Sequence, residues 1–97
     1  MKLFKNIDER FAAIGFQKVY ESDLSVTYER KTQFGYVQCI DLCHKKNGYH
    51  LIQSSEKGAN SDGFSNMVGI TMHEARLCIK KMKSKGWKIL RHPPKGE

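Results

Sequence analysis

No stretch of this chain approaches the roughly 20 consecutive apolar residues that a membrane-spanning helix needs. The opening "MKLFKNIDERF" alternates polar and apolar residues and builds no secretory-signal core, so no membrane partner and a cytoplasmic location are expected. Cysteine is scarce: there are 3 in 97 residues, an odd number, which argues for reduced thiols over a disulfide frame. Cys39 and Cys43, four positions apart on one strand, would stand roughly 13 Å apart at about 3.3 Å per residue, beyond disulfide reach. A phosphate-cradling glycine loop, a dinucleotide fingerprint and a His-Glu-x-x-His helix are all missing, and with them the commonest nucleotide and metallopeptidase chemistries.

What is present is the composition of one globular domain spanning residues 1–97, with 39% hydrophobic and 28% charged residues. The densest collection of reactive side chains is "CIDLCHKKNGYHL", residues 39–51. Within it Asn47-Gly48 predicts a two-residue type I′ hairpin turn, because both central positions of that turn need positive φ. That turn would set Lys45 opposite His50, His44 opposite Leu51 and Cys43 opposite Ile52. Ile40, Leu42, His44, Tyr49 and Leu51 would then share one face; Val37, Cys39, Asp41, Cys43, His50 and Ile52 would share the other. The cluster is thereby divided. A structural zinc site needs four convergent ligands, usually announced by paired short spacings, and no metal or other cofactor is expected here. Asp41, Cys43 and His50 would lie on one face, yet three polar residues on a strand pair more often make a solvated surface than a catalytic triad. No catalytic residue is assigned.

Around the hairpin, Leu3, Phe4, Ile7, Phe11 and Ile14 recur at helical spacing, Asn6 and Glu9 form a capping pair, and Gly15-Phe16 supplies a stop. A helix over about 4–14 follows. "FQKVYES", "LSVTYERK", "FGYVQCIDLC" and "YHLIQSS" read as strands, with Leu24, Val26 and Tyr28 pointing to one buried side. Residues 56–69 are rich in Gly, Ser and Asn and read as a long loop, its second half anchored by Phe64, Met67 and Val68. Thr71 and Glu74 make a Thr-x-x-Glu capping box for a second helix ended by Gly86-Trp87. Its apolar stripe is expected at Met72, Ala75, Cys78, Ile79 and Met82. The predicted fold is α+β and two-layered: an antiparallel meander of three or four strands with an N-terminal and a C-terminal helix on one face.

Charge is distributed unevenly. Residues 1–70 hold 9 basic and 8 acidic residues, a net of +1, and residues 71–97 hold 8 basic and 2 acidic, a net of +6. A solvated lysine face accounts for such a pattern, and so does an acidic partner. In the second case the candidate nucleic-acid contacts are Arg76, Lys80, Lys81, Lys83, Lys85, Lys88 and Arg91, with Leu77 among them. Lys45 and Lys46 at the hairpin tip form a secondary contact, and 92–97 is a flexible basic tail. Trp87 is expected to cap the helix against the core rather than to stack on a base. The order of elements matches the double-stranded RNA-binding domain, but that family carries its lysine cluster at the start of its last helix, and this helix begins "TMHEAR".

Over its length the chain, with "VTYERK", "GYHLIQS", a Gly/Asn loop and "ITMHEARLCIKKMKSKGW", resembles the short lysine-rich proteins carried by phages and prophages of Gram-positive bacteria. The resemblance implies action by binding, in the host cytoplasm, either to nucleic acid or to a host protein such as a defence factor. It implies no catalytic residue. For the host-protein alternative, the 56–69 loop or the exposed sheet face is the expected contact surface. A homodimer through the sheet face or an edge strand is also compatible with the sequence.

Overall fold

Asn6 sets where the first helix begins. Its backbone is extended and its side chain accepts the Glu9 N–H at 2.8 Å, so α1 runs Ile7–Ala13 and starts three residues later than its apolar periodicity indicates. At its other end Gly15 takes φ +94, and the Phe16 N–H returns to the Phe11 carbonyl at 2.9 Å. The computed structural model describes residues 6–58 and 66–89. Leu3, Phe4, Phe64, Arg91 and the 92–97 tail lie outside the described residues.

The chain then forms β1 (Gln17–Glu21), β2 (Ser25–Lys31), β3 (Tyr36–Cys43), β4 (Leu51–Gly58) and β5 (Asn66–Met67), followed by helix α2 (Met72–Ser84). The five strands make one antiparallel sheet in the order β1-β2-β3-β4-β5. The α+β order is therefore as expected, with one strand more than the meander of three or four. That strand lies within the segment read as a loop. Residues 56–58 belong to β4, Met67 pairs with Ser55, and the Val68 N–H bonds the Ser54 carbonyl at 3.1 Å. Met67 anchors the segment by backbone pairing alone, because its side chain is 77% exposed.

The β3–β4 register corrects a second expectation. Cys43 pairs with Leu51 and Leu42 with Ile52, one position from the arrangement a type I′ turn imposes. Gly48 has positive φ but Asn47 does not, so that turn cannot form. Instead the Gly48 N–H bonds the Lys45 carbonyl at 3.1 Å and the Asn47 side chain accepts the Tyr49 N–H at 3.0 Å. A longer connection results. Because side chains alternate along a strand, the one-residue slip moves Ile52 to the core side and Leu51 to the opposite side.

Both helices lie on one face of the sheet. Between the layers Phe11, Phe16, Val26, Tyr28, Ile40, Leu42, Leu77, Cys78, Met82 and Trp87 form the core, with Phe11 stacked on Tyr28 at 3.9 Å. Each large side chain so buried contributes about 1.5–3 kcal/mol. One end of the core is polar but satisfied: Arg30 donates to the Gln38 Oε1 at 2.6 Å and sits 3.4 Å from the Glu74 carboxylate, and Gln38 donates to Ser54 at 3.3 Å. Leu24, expected with Val26 and Tyr28, is 64% exposed just before β2. On the other face lie Tyr20, Thr27, Glu29, Cys39, Asp41, Cys43 and Leu51, and no described element covers them.

In α2 the capping box is present with both of its hydrogen bonds, Glu74 N–H to Thr71 Oγ1 at 3.0 Å and Thr71 N–H to Glu74 Oε1 at 2.9 Å. The buried stripe is Glu74, Leu77, Cys78, Lys81 and Met82. At about 100° per residue this arc is turned by roughly a quarter of the helix from the expected stripe. Met72 and Ile79 face solvent at 69% and 39% exposure, and Leu77, expected among the polar residues, is buried in the core. The rotation has a cause: Glu74 finds Arg30 inside, and Lys81 finds two carboxylates.

Candidate functional site

The structure divides the predicted cationic residues that it describes into three sets. Lys81 points inward with its side chain 9% exposed, 3.1 Å from Asp8 Oδ1 and 3.4 Å from Glu21 Oε2. Lys85 stands 3.0 Å from the same Glu21 oxygen. Lys18 joins Asp8 at 2.8 Å and Glu21 at 2.6 Å, and the Tyr28 hydroxyl donates to Asp8 at 2.6 Å. Burial alone would raise the Asp8 carboxyl, but hydrogen bonds from Lys18, Tyr28 and Lys81 outweigh it and lower its pKa to about 2. Glu21 is lowered to about 2 as well, first by its hydrogen bond from Lys18 and then by that from Lys85. Lys81 and Lys85 thus tie α2 to α1 and β1. As contacts for a polyanion both are withdrawn, since each ammonium is held against carboxylates of the protein itself.

The second set faces outward. Arg76, Lys80 and Lys83 are exposed, and with His73 they occupy one stripe of α2, about 15 Å long at 1.5 Å per residue. None of the three cations has an ion pair among the described residues. Across the helix pair stands Arg10 of α1, which likewise has no ion pair among the described residues and which the charge pattern of the sequence does not single out. Arg10, His73, Arg76 and Lys80 rim a groove of about 460 Å³ whose floor is Ala13, Ile14 and Leu77. The sequence does carry a signal for Arg10. It follows Ile7 by three on the same helix and precedes the core residue Phe11, so its side chain falls at the edge of the helix face that meets α2.

Lys88, Lys45 and Lys46 come together although Lys46 and Lys88 are 42 positions apart in the chain. They line one pocket with His44 and His50 at the C-terminal end of α2. Trp87 lies beneath, 6% exposed, with its indole N–H donating to the Asp23 carbonyl at 3.2 Å. It caps the core as expected, and its face is not open to a base. Arg91 lies outside the described residues.

His50 packs on His44 and Trp87 at ring distances of 4.8 and 5.3 Å, on the helix side of the sheet, whereas Cys43 lies on the uncovered side. The grouping of Asp41, Cys43 and His50 on one face is therefore not realised. Among the described residues no group of three His, Cys, Asp or Glu side chains is placed to hold a metal ion. Burial pushes the Cys78 thiol up to about 12, and burial, with Glu29 beside it, also raises Cys39. No described helix is long and apolar enough to cross a membrane.

No family model, curated protein or solved structure matches this chain. Its function is therefore argued from the fold and its surfaces: an α+β domain whose helix layer presents cations in one row, none of them in an ion pair among the described residues. Such a row provides point charges and bidentate guanidinium forks with no competing carboxylate on α2, where Glu74 is turned inward to Arg30.

Proposed function

We propose that this protein is a non-catalytic binding module that contacts nucleic acid through the outer surface of its helix layer. Arg76, Lys80 and Lys83 of α2 and Arg10 of α1 make the main contacts, and Lys88, Lys45 and Lys46 extend them. The observation that carries the reading is the absence of an acidic partner for these cations among the described residues, beside Lys81 and Lys85, which are held against Asp8 and Glu21. A stripe of about 15 Å spans four to five nucleotide steps at about 3.4 Å per step. Contacts to phosphates, without base-reading side chains, predict binding that is indifferent to sequence.

The test is fluorescence anisotropy of labelled single- and double-stranded DNA and RNA. Engagement of about four phosphates weakens affinity roughly 100-fold between about 50 and about 200 mM salt. Joint replacement of Arg10, Arg76, Lys80 and Lys83 by Glu abolishes binding with the far-ultraviolet dichroism unchanged. Absence of binding at the lowest salt would refute the proposal.

A second reading, regulation of a host protein, draws on a separate observation. Val19, Tyr20, Leu51 and Met67 are 52%, 55%, 40% and 77% exposed, and Tyr20, Leu51 and Met67 lie on the uncovered sheet face. An apolar contact of this kind resists salt. A stoichiometric complex stable at high salt and lost on Tyr20→Glu with Leu51→Glu would favour it over the first reading.

A further inference from the structure

The pocket at the end of α2 is assembled from two chain segments that meet through His50 and through the contact of His44 with Trp87 at 5.1 Å. His44, Lys45, Lys46, Asn47, Gly48 and His50 of the β3–β4 connection and Lys88 beyond α2 enclose about 220 Å³. No carboxylate among the described residues lines it. None of its three lysines has an ion pair among the described residues, whereas Lys85, three positions before Lys88, is paired with Glu21 at 3.0 Å.

His50 holds the two sides together. Its Nδ1 accepts the Lys45 N–H at 3.0 Å, which leaves the ring proton on Nε2, and Nε2 donates to the Lys88 carbonyl at 2.7 Å. The ring is fixed by contact with His44 at 4.8 Å and Trp87 at 5.3 Å. Both backbone partners of His50 belong to lysines that line the pocket. Lysines on loose segments would give up backbone as well as rotamer freedom to meet one anion; a strut between two of their backbones removes part of the backbone cost beforehand.

We propose that this pocket seats a single phosphate group, with Lys45, Lys46 and Lys88 as its charged contacts, His44 as a further donor and His50 as the positioning residue. For a phosphate carried by a nucleic-acid strand the proposal rests on the function proposed above; free phosphate offers the same chemistry.

The test follows backbone amide resonances of the full chain during titration with inorganic phosphate, chloride holding the ionic strength constant. Saturable shifts are expected at Lys45, Lys46, Gly48, His50 and Lys88. Lys88→Met and His50→Ala each weaken the site about tenfold, the loss expected for one hydrogen bond or contact to a charged group. His50→Gln retains a donor placed like Nε2 and restores affinity, while His50→Asn retains only an acceptor placed like Nδ1 and does not. Unchanged far-ultraviolet dichroism and urea midpoint report an intact fold in every variant. Shifts reproduced by chloride, shifts spread equally over Arg10, Arg76 and Lys80, or equal behaviour of the Gln and Asn variants would overturn the proposal.

A parallel titration with an oligonucleotide separates this inference from the function it extends. Shifts at the same five residues, competed by phosphate, support a strand phosphate as occupant. Saturation by phosphate with no oligonucleotide binding supports the pocket as a free-phosphate site and removes the nucleic-acid reading alone. Oligonucleotide binding along α2 with the pocket unperturbed by either ligand removes the pocket alone.

Discussion

Replacing Lys81 by methionine and, separately, Lys80 by alanine tests whether adjacent lysines of one helix have opposite roles. The Lys81 ammonium is within 3.1 Å of Asp8 and 3.4 Å of Glu21. Breaking a wholly buried ion pair costs about 3–5 kcal/mol. Here the carboxylates are less isolated: the Asp8 and Glu21 side chains are 31% and 29% exposed, Asp8 keeps Lys18 and Tyr28, and Glu21 keeps Lys18 and Lys85. The expected cost of Lys81→Met is therefore about 2 kcal/mol, with the methionine preserving the packing of the aliphatic stem. In a domain of this size that lowers Tm by about 10 °C. Lys80→Ala removes an exposed side chain that has no ion pair among the described residues and changes stability by less than about 0.5 kcal/mol. Binding should show the reverse order. Lys80→Ala reduces the slope of log affinity against log salt by about 1, and Lys81→Met leaves that slope unchanged. Urea unfolding and salt-dependent anisotropy on both variants provide the four numbers. Parent-like stability of Lys81→Met, or a salt slope lowered by it as much as by Lys80→Ala, would refute the division of roles.

The same network dictates the acid response. Asp8 and Glu21 are lowered from 3.8 and 4.5 to about 2, so the unfolded chain binds more protons than the native one as pH falls. Their contribution is complete above about pH 5 and is lost progressively as pH falls through about 4 towards about 2. Acid unfolding followed by Trp87 emission should move to higher pH in Lys81→Met, and an unmoved midpoint would contradict the assignment. Timed thiol labelling read by mass spectrometry should leave Cys78 unmodified until the chain unfolds, while Cys43 and, more slowly, Cys39 react in the native state. Gly15→Ala forces a side chain into φ +94, with its Cβ 3.0 Å from Arg30 Cδ, and should destabilise by about 1–2 kcal/mol in urea unfolding. Equal stability would show that the α1 stop does not depend on glycine.

Elements decided by neighbouring residues are legible in the amino-acid sequence itself. Asn6 with Glu9, Thr71 with Glu74, and the glycines at 15 and 86 act within one helical turn, and the alternation through Val26, Tyr28, Ile40 and Leu42 marks a sheet face by itself. The concentration of positive charge in residues 71–97 is equally a property of the sequence. The β3–β4 register is not, because Asn47-Gly48 is compatible with more than one turn and the observed one depends on His50 and Asn47 bonding backbone amides across the connection. Nor is the strand pairing of Asn66 and Met67, whose side chains are exposed and whose order comes from the edge of β4. The buried arc of α2 differs from its hydropathy pattern for a similar reason: hydropathy assigns lysine and glutamate outward, but Glu74 and Lys81 are drawn inward by Arg30, Asp8 and Glu21. The sequence by itself determines an α+β domain with capped helices and a basic C-terminal segment. Which of those cations remain free to meet a phosphate is decided only in three dimensions, because a charge is neutralised by whatever the fold brings within a few ångströms of it.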